Sequence, residues 1–314
     1  MNQNDDQRLN TRIEKLEKKY DSMGQDIHSY LDGLLYSDYL TYWDYINLDV
    51  LLNLQQPKTP FPDENIFIIY HQITELYFKL ILQELHLIAD NNKPNADSLI
   101  LRVSRINQYF KQLNSSFEIM VNGMDKKEFL KFRMALLPAS GFQSAQFRMI
   151  ELCSTDIINL VNYKERSNLV KSTDLKEIYE HLYWKSGATE LSSGKKTLTL
   201  KQFEKKYSDK FIHLIKDFYH KNLRRRFKSI SEEEQKRVDL LDVLREFDFS
   251  ANVLWPLSHI KAAGRHLQKE EKVIAATGGT NWQKYLPPKN QRINFFPELW
   301  SDEEMEKWGI KSKL

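Results

Sequence analysis

The sequence lacks the residues on which several common classes of protein depend. It has a single cysteine, Cys153, among 314 residues, which excludes an intrachain disulfide and a four-thiolate metal site within one chain. No apolar run approaches the roughly 20 residues of a membrane-spanning helix, and the polar N-terminus carries no visible signal peptide. These absences predict a cytoplasmic protein with no membrane partner, and they predict that Cys153 is a small buried hydrophobe.

The sequence also lacks a large excess of charge of either sign. Lys and Arg number 46 against 43 Asp and Glu, so the formal net charge is only +3. This balance gives no electrostatic argument for a nucleic-acid partner, and we expect none. The run HKNLRRRFKSISEEEQKR (220–237) pairs opposite charges, which favours a solvated face; a phosphate-binding stripe is the alternative.

Glycine and proline are scarce, at 10 and 9 residues, and apolar residues recur with a period near 3.6 in most windows. The pattern predicts an all-α protein, with one large helical domain over residues 39–314 and a less regular excursion at about 164–210. A helical arm over residues 1–38 precedes this domain. The arm has a short heptad-like seam, so it either packs on its own domain or reaches a neighbouring subunit. The seam consists of Leu9, Ile13, Leu16, Tyr20 and Met23.

One predicted helix runs from Asp63, as its N-cap, to about Ala89 and is apolar on nearly all sides. A helix of this kind is normally central to a core. It carries His71, with Phe67 one turn earlier. A histidine on an apolar face is more often a satisfied core residue than a catalyst, although a neutral imidazole can also bond a substrate N–H.

The stretch KFRMALLPASGFQSAQFRMIEL (131–152) is typical of two helices with a break between them. Pro138 lacks a backbone N–H and disfavours helix in the residue before it, so the first helix should end there. Ser140 and Gln143 have the spacing of a capping box, which predicts that the second helix begins at Ser140. A helix start of this kind favours a nearby anion.

Two arginines, Arg133 and Arg148, lie on either side of this break among apolar residues. Burying a guanidinium without an anionic partner is costly, so each arginine needs an anion. That anion is either an internal carboxylate or the carboxylate of a ligand held through two hydrogen bonds. Arg133 follows Phe129 by four residues, so the two side chains share a helix face.

A second histidine, His259, stands in LWPLSHIKAAGRHLQ before three small residues, Ala262, Ala263 and Gly264. The small residues leave room beside the helix for something flat and bulky, which makes His259 a candidate proximal haem ligand. No C-x-x-C-H is present, so covalent haem attachment through that motif is excluded. No H-x-x-x-H or E-x-x-H pair predicts a non-haem metal site.

Four segments, in order, resemble the tryptophan 2,3-dioxygenase family: FIIYHQITELYFKLILQEL, FRMALLPASGFQSAQFRMIE, the W-x-x-x-H of LWPLSH, and the ATGG loop. The resemblance covers about residues 40–300. It implies a haem pocket between helices and a haem b cofactor that is ferrous when active. The implied reaction opens the indole ring of L-tryptophan with O2 to give N-formylkynurenine, in a homotetramer built as a dimer of dimers.

The resemblance also assigns roles to individual residues. It implies that His259 is the proximal iron ligand and that His71 is the distal, catalytic histidine, which orients the indole N–H. Arg148 has no such role and is expected to be structural. It further implies that the substrate is contacted by Phe67, Phe129, Arg133 and Thr277. It implies that Ser140 and Gly141 contact the haem face. Tyr42 and Tyr45 are implied to contact the substrate from a neighbouring subunit.

The sequence departs from the family pattern at two informative places. The loop reads GGTNW (278–282) where GGSSG is common, and Pro256 stands where arginine is usual. Two alternatives therefore stay open at this point: a related haem enzyme that oxidises a different indole substrate, and a non-catalytic haem-binding helical protein.

Overall fold

Helices make up nearly all of the regular structure, as the spacing of the apolar residues requires. The computed structural model describes residues 3–37, 40–136, 143–186, 188, 195–269, 272–273, 283 and 286–310. Within these ranges the only strands are β1 (Gln268–Lys269) and β2 (Lys272–Val273), which pair antiparallel. The predicted all-α fold is confirmed. No helix in the described ranges is both long enough and apolar enough to span a bilayer.

The chain divides into two compact units, residues 1–56 and residues 57–314. The helices of the first unit are α1 (Gln3–Asp21), α2 (Ile27–Leu35), α3 (Tyr42–Tyr45) and α4 (Leu48–Leu52). The seam predicted for the arm is broken before its end, because Gly24 has a φ of +66° and Met23 lies in the turn beside it. The division predicted after residue 38 falls inside the first unit, and a role for the arm in another subunit stays a prediction.

The second unit carries most of the core. Its α-helices are α5 (Asp63–Asp90), α6 (Ala96–Ser116), α7 (Glu118–Asn122), α8 (Lys126–Phe132), α9 (Ala145–Ser154), α10 (Arg166–Leu169), α11 (Leu175–Glu180), α12 (Tyr183–Ser186), α13 (Leu198–Phe218), α14 (Leu223–Ser229), α15 (Glu232–Gln235), α16 (Val238–Phe249), α17 (Trp255–Leu267), α18 (Pro288–Gln291) and α19 (Asp302–Glu306). Short 3₁₀ helices span Arg133–Leu136, Ile157–Leu160 and Pro297–Leu299, and a π-helical turn spans Ser250–Leu254.

The central helix α5 has the predicted position in the core, but its first residue differs from the prediction. Asp63 is the first helical residue, and Pro62 occupies the cap position with a φ of −57°. Proline at a helix start costs little, because the first N–H groups have no partner within the helix. The Asp63 carboxylate instead accepts a hydrogen bond from the backbone N–H of Asp125, at 2.6 Å, which ties α5 to the start of α8.

The helix after the break begins later than the sequence predicts. Ser144 is the N-cap of α9, and its hydroxyl oxygen accepts from the Phe147 backbone N–H at 3.3 Å. Ser140, the predicted start, lies outside the described residues, and the described α-helix begins at Ala145. This helix ends at Ser154, and a 3₁₀ helix follows.

Proline 256 has a clear structural consequence. Residues 238–267 are helical throughout, but the turn Ser250–Leu254, just before the α17 segment that holds Pro256, is π-helical. Proline inside a helix removes one hydrogen bond, and its ring collides with the preceding turn. A π turn provides the wider spacing that relieves this collision. The direction of α17, and hence of His259, is set at this turn.

Asp248, at the end of α16, anchors the C-terminal segment. It is fully buried, and its two oxygens accept from the backbone N–H groups of Phe295 (2.7 Å) and Phe296 (3.1 Å) and from the indole N–H of Trp300 (2.8 Å). Asn252, in the π turn, donates a fourth bond at 2.8 Å. Burial nevertheless raises the pKa of Asp248 to about 6, because desolvation of the ionised carboxylate outweighs these four bonds.

We expect Asp248 to make folding stability depend on pH in an unusual direction. Its pKa is higher folded than unfolded, so its contribution is largest below about pH 4 and is lost as pH rises to about 6. A shift of this size corresponds to ~3 kcal/mol. Urea unfolding of the wild type and of Asp248→Asn across pH 4–7 measures the effect as a change in the difference between their unfolding free energies. A difference that stays constant over this range contradicts the prediction.

The basic run is a solvated face only in part: Arg225 is exposed, whereas Arg224 and Arg226 are partly buried. Arg224 and Arg225 both pair with Asp156, the latter through Nε at 2.7 Å, and Arg226 donates to the carbonyl of Ala89. These bonds join α14 to the segment after α9 and to the end of α5. The prediction for Cys153 is confirmed, because its side chain is fully buried and burial raises the pKa of its thiol.

Candidate active site

His259 lies one turn into α17 and is prepared to bind a metal through one nitrogen. Its Nδ1 is 2.9 Å from the carbonyl oxygen of Trp255. A carbonyl only accepts, so Nδ1 carries the proton and Nε2 carries the lone pair. Burial lowers the pKa of His259 to about 4, which keeps the ring neutral at physiological pH. No described residue bonds Nε2.

His71, in the third turn of α5, has the same local arrangement. Its Nδ1 donates to the carbonyl oxygen of Phe67 at 2.7 Å, which leaves Nε2 as an acceptor. Burial lowers the pKa of His71, although the charge of Glu75 partly opposes that shift. The side chain nevertheless keeps much of its surface accessible. A lowered pKa together with an accessible side chain is expected for an imidazole that lines a cavity.

The two imidazoles are linked by a short series of aromatic contacts. The charge of a protonated His71 also contributes to lowering the pKa of His259, after burial, the largest cause. Two aromatic rings link them along one wall. Tyr70 lies 5.8 Å from His71 and 5.7 Å from Phe117, and Phe117 lies 4.6 Å from His259, all as ring-centroid distances. The predicted pair of opposed histidines is thus brought together by α5 and α17.

An apolar aromatic wall stands beside His71. The Phe67 ring centroid is 4.1 Å from that of His71 and 6.5 Å from that of Phe129. Phe132 closes the group at 6.0 Å from Phe67 and 5.5 Å from Phe129. Phe67 and Phe129 are only partly buried, while Phe132 is fully buried. Such rings can pack a flat aromatic ligand at the accessible edge of the wall.

The small residues of α17 leave open space, as predicted. Among the described residues, no atom lies within 4 Å of a methyl group placed on Gly264. Ala262 and Ala263 are only partly buried although they follow His259 closely in the helix. A bulky planar group can therefore approach this side of α17.

Arg133 begins the 3₁₀ helix that follows α8, one turn after Phe129. Its side chain is only 6% exposed, and burial lowers the pKa of its guanidinium. A carboxylate that arrives beside a buried guanidinium offsets part of the cost of its desolvation. The position next to the aromatic wall therefore favours a ligand with an aromatic end and a carboxylate end.

Arg148, the second arginine of the break, has an internal partner. Its Nη1 lies 3.1 Å from Glu151 Oε2 and donates to the Tyr183 hydroxyl at 3.1 Å. Tyr183 in turn donates to Glu151 at 2.6 Å. Burial alone would lower the pKa of Arg148, but the Glu151 charge raises it. Arg148 has the structural role predicted for it, and its charge also helps to lower the pKa of His259.

The residues present fit a haem group. A neutral imidazole with an available Nε2, held by its own helix, is the usual axial ligand of a haem iron. The space beside Gly264 and the aromatic lining suit a planar apolar macrocycle. In the described ranges no three His, Cys, Asp or Glu side chains form a metal cluster. Haem requires only one protein ligand, so it does not depend on such a cluster.

Several predicted residues are not placed in this site. Ser140, Gly141 and Thr277 lie outside the described residues. Tyr42 and Tyr45 belong to the first unit, where their side chains are 71% and 74% exposed. Their contribution to a substrate pocket stays a prediction.

Sequence reasoning missed one polar group beside the site, the pair Glu75 and Ser144. The Ser144 hydroxyl donates to Glu75 Oε1 at 2.6 Å. Glu75 follows His71 by one turn, so sequence alone places the two side chains on the same face of the helix. Its partner Ser144 lies 69 residues further along the chain. No local pattern indicates that contact.

Comparison with known proteins agrees with this geometry. The family model described as tryptophan 2,3-dioxygenase matches residues 32–281. The chain is similar to tryptophan 2,3-dioxygenases of Ruegeria sp. (27% identity, 85% of this chain and 92% of the relative), of Bacillus thuringiensis subsp. konkukian (28%, 85% and 92%) and of Polaromonas naphthalenivorans (29%, 84% and 91%). The family model spans well over half of the sequence and includes every described residue of the candidate site, so this chain belongs to the tryptophan 2,3-dioxygenase family.

Proposed function

We propose that this chain is a haem-dependent dioxygenase that opens the indole ring of L-tryptophan with O2 to give N-formylkynurenine. One observation carries the proposal: two histidines with lowered pKa values, linked through Tyr70 and Phe117, each donate from Nδ1 to their own helix and so have a lone pair on Nε2. One lone pair suits an iron atom, and the other suits the N–H of an indole. Membership of the family supplies the choice of substrate.

His259 would hold haem b through Nε2, while Trp255 fixes the ring through the bond to Nδ1. The low pKa of His259 means that protons do not compete with iron for this nitrogen near neutral pH. Haem, when bound in its ferrous form, supplies the activation of O2. Ser140 and Gly141 would contribute contacts to the haem face by family resemblance.

The other residues would place the substrate. Phe67 and Phe129 would pack against the indole, His71 Nε2 would accept the indole N–H, and Arg133 would pair with the carboxylate. Holding both ends of a zwitterionic amino acid fixes the orientation of its ring and removes most of its freedom of movement. Thr277 would assist at the ammonium and carboxylate end by family resemblance.

A product assay tests the proposal and separates it from its alternatives. Anaerobic ferrous protein is mixed with L-tryptophan and then with O2, and products are followed by near-ultraviolet absorption and mass spectrometry. We expect a product heavier than tryptophan by two oxygen atoms. A product with one added oxygen favours a monooxygenase, and a Soret band without any product favours a non-catalytic haem protein.

We further propose that the chain is a homotetramer, a dimer of dimers, in the cytoplasm. An exposed apolar stripe on α5 supports association, because such a stripe on one face of a long helix is typical of an interface. Its members are Ile69, Ile73, Leu76, Leu80 and Leu87, each at least 40% exposed. In an oligomer the exposed Tyr42 and Tyr45 would be available to a neighbouring subunit. Cell fractionation tests the location.

We expect the double substitution Ile73→Glu and Leu80→Glu to dissociate the oligomer. Two carboxylates in an apolar interface would each have to be desolvated or protonated, which costs several kcal/mol. Light scattering coupled to size-exclusion chromatography measures the mass directly. Lys79→Glu, at an exposed polar position of the same helix to one side of the stripe, serves as the control. A double variant that keeps the wild-type mass would show that this stripe is not the interface.

A further inference from the structure

Glu75 is a partly buried carboxylate that joins two helices of the candidate site. It lies on α5, one turn after His71. Its Oε1 accepts from the Ser144 hydroxyl at 2.6 Å, and its Oε2 accepts from the Gln146 amide at 2.8 Å. The same amide nitrogen of Gln146 donates to the Glu75 backbone carbonyl at 2.8 Å. Both oxygens of one carboxylate are thus used to hold the start of α9 against α5.

The partners of Glu75 are neutral, unlike those of Glu84 further along the same helix. Glu84, two to three turns further along α5, pairs with Arg102 and Arg105 at 3.0 and 3.3 Å. No Lys or Arg among the described residues lies within salt-bridge distance of Glu75. Its negative charge is therefore not neutralised locally, and it acts on the imidazole of His71.

The contact also reaches the helix that carries His259. Ser144 caps α9, and the Phe147 ring in its first turn lies 6.5 Å from the Trp255 ring. Trp255 supplies the carbonyl that accepts from His259 Nδ1. A short series of contacts therefore connects the Glu75 carboxylate to Trp255, which fixes His259, and Glu75 itself lies one turn from His71.

We propose that Glu75 is a positioning residue for the distal histidine: its carboxylate fixes the beginning of α9 against α5 and presents a negative charge to His71. It acts through Ser144, Gln146 and His71 and not on the reacting atoms. Among the described residues, the other titratable groups shown to interact with His71 are Tyr70 on α5 and His259 on α17, and His259 is neutral at physiological pH. Burial has the largest effect on the pKa of His71, and Glu75 is the charged group that opposes it.

The charge is tested with Glu75→Gln, which keeps the shape of the side chain and most of its bonding capacity. The pH at which His71 titrates is measured by ¹⁵N NMR on the full chain with labelled histidine, with the resonance assigned from a His71 variant. Loss of the negative charge makes the imidazolium less favourable, so we expect the titration midpoint to fall by ~0.5 pH unit or more. The matched control is Glu177→Gln, which removes another serine-bonded glutamate, bound to Ser172 outside the site.

The anchoring is tested with Glu75→Asp and Ser144→Ala in the haem-loaded protein. Both retain the charge but weaken the contact between α5 and α9: Glu75→Asp shortens the side chain, and Ser144→Ala removes the hydroxyl that donates to Glu75. We expect a KM for L-tryptophan raised about tenfold, the loss expected for one charge-assisted hydrogen bond, with the His71 midpoint close to that of wild type. Thermal unfolding of each variant separates this effect from general loss of the fold.

A His71 midpoint that is the same in wild type, Glu75→Gln and Glu177→Gln overturns the proposal, and so does an unchanged KM in both anchoring variants. The kinetic part rests on the proposed function, whereas the NMR part does not. A wild-type protein that fails to cleave tryptophan would therefore refute the function and leave the test of Glu75 intact.

Discussion

His259→Ala should purify without the Soret band of wild type and should lose tryptophan cleavage by a factor of ~10³ or more. The imidazole of His259 is neutral, and the carbonyl of Trp255 fixes its orientation. Its Nε2 has no bond to a described residue, and the described residues leave space beside Gly264 on the same helix. Removing it leaves a haem group without its axial nitrogen. Haem content measured per chain by the pyridine haemochrome method tests ligation independently of turnover.

His71→Ala is the matched control for this experiment, because it removes the other imidazole of the candidate site. It should keep the wild-type haem content and lose mainly substrate orientation. Added imidazole should restore a Soret band to His259→Ala, since the truncation leaves a cavity of suitable shape. Full haem content and an unchanged spectrum in His259→Ala without added imidazole would refute the assignment of the proximal ligand.

The histidine geometry was largely predictable from local sequence because it depends on helix periodicity. A histidine inside a helix can donate from Nδ1 to the carbonyl four residues earlier, and both His71 and His259 do so. Phe67 precedes His71 by that same interval, so its ring was expected on the same face. Contacts between residues four apart can therefore be predicted from the sequence once the helix is predicted.

The start of α9 was mispredicted for a reason that is also physical. Ser140 and Ser144 both have residues after them that suit a helix start, so local pattern cannot choose between them. Ser144 is the N-cap of α9, and its hydroxyl also binds the Glu75 carboxylate, which is distant in sequence. Cap assignments that depend on tertiary contacts are not available from sequence.

The two arginines of the break illustrate the same limit. Sequence indicated that each needs an anion but could not say where that anion would come from. Glu151 follows Arg148 by three residues, and a helical pair at that spacing was foreseeable. Tyr183, which completes that network, lies more than thirty residues away and was not foreseeable. For Arg133 the informative facts were its burial and its position beside the aromatic wall, both of which require the folded structure.

Arg133→Ala should lower kcat/KM for L-tryptophan by ~10²–10³, with the haem spectrum unchanged. The reason is loss of a charge-assisted, two-point bond to the substrate carboxylate in a buried setting, where such bonds are strongest. Arg133→Lys should recover only part of the loss, since an ammonium cannot reproduce the planar fork.

Tryptamine, which has the indole but no carboxylate, makes this prediction specific. If Arg133 acts on the carboxylate, wild type and Arg133→Ala should bind tryptamine with similar affinity, although they differ greatly for tryptophan. Arg148→Ala is the contrasting variant: it leaves Glu151 buried without its partner, so it should lower thermal stability and affect both ligands alike. If Arg133→Ala weakens the binding of tryptamine and of tryptophan by the same factor, Arg133 has a structural role. The substrate carboxylate must then be bound by another group.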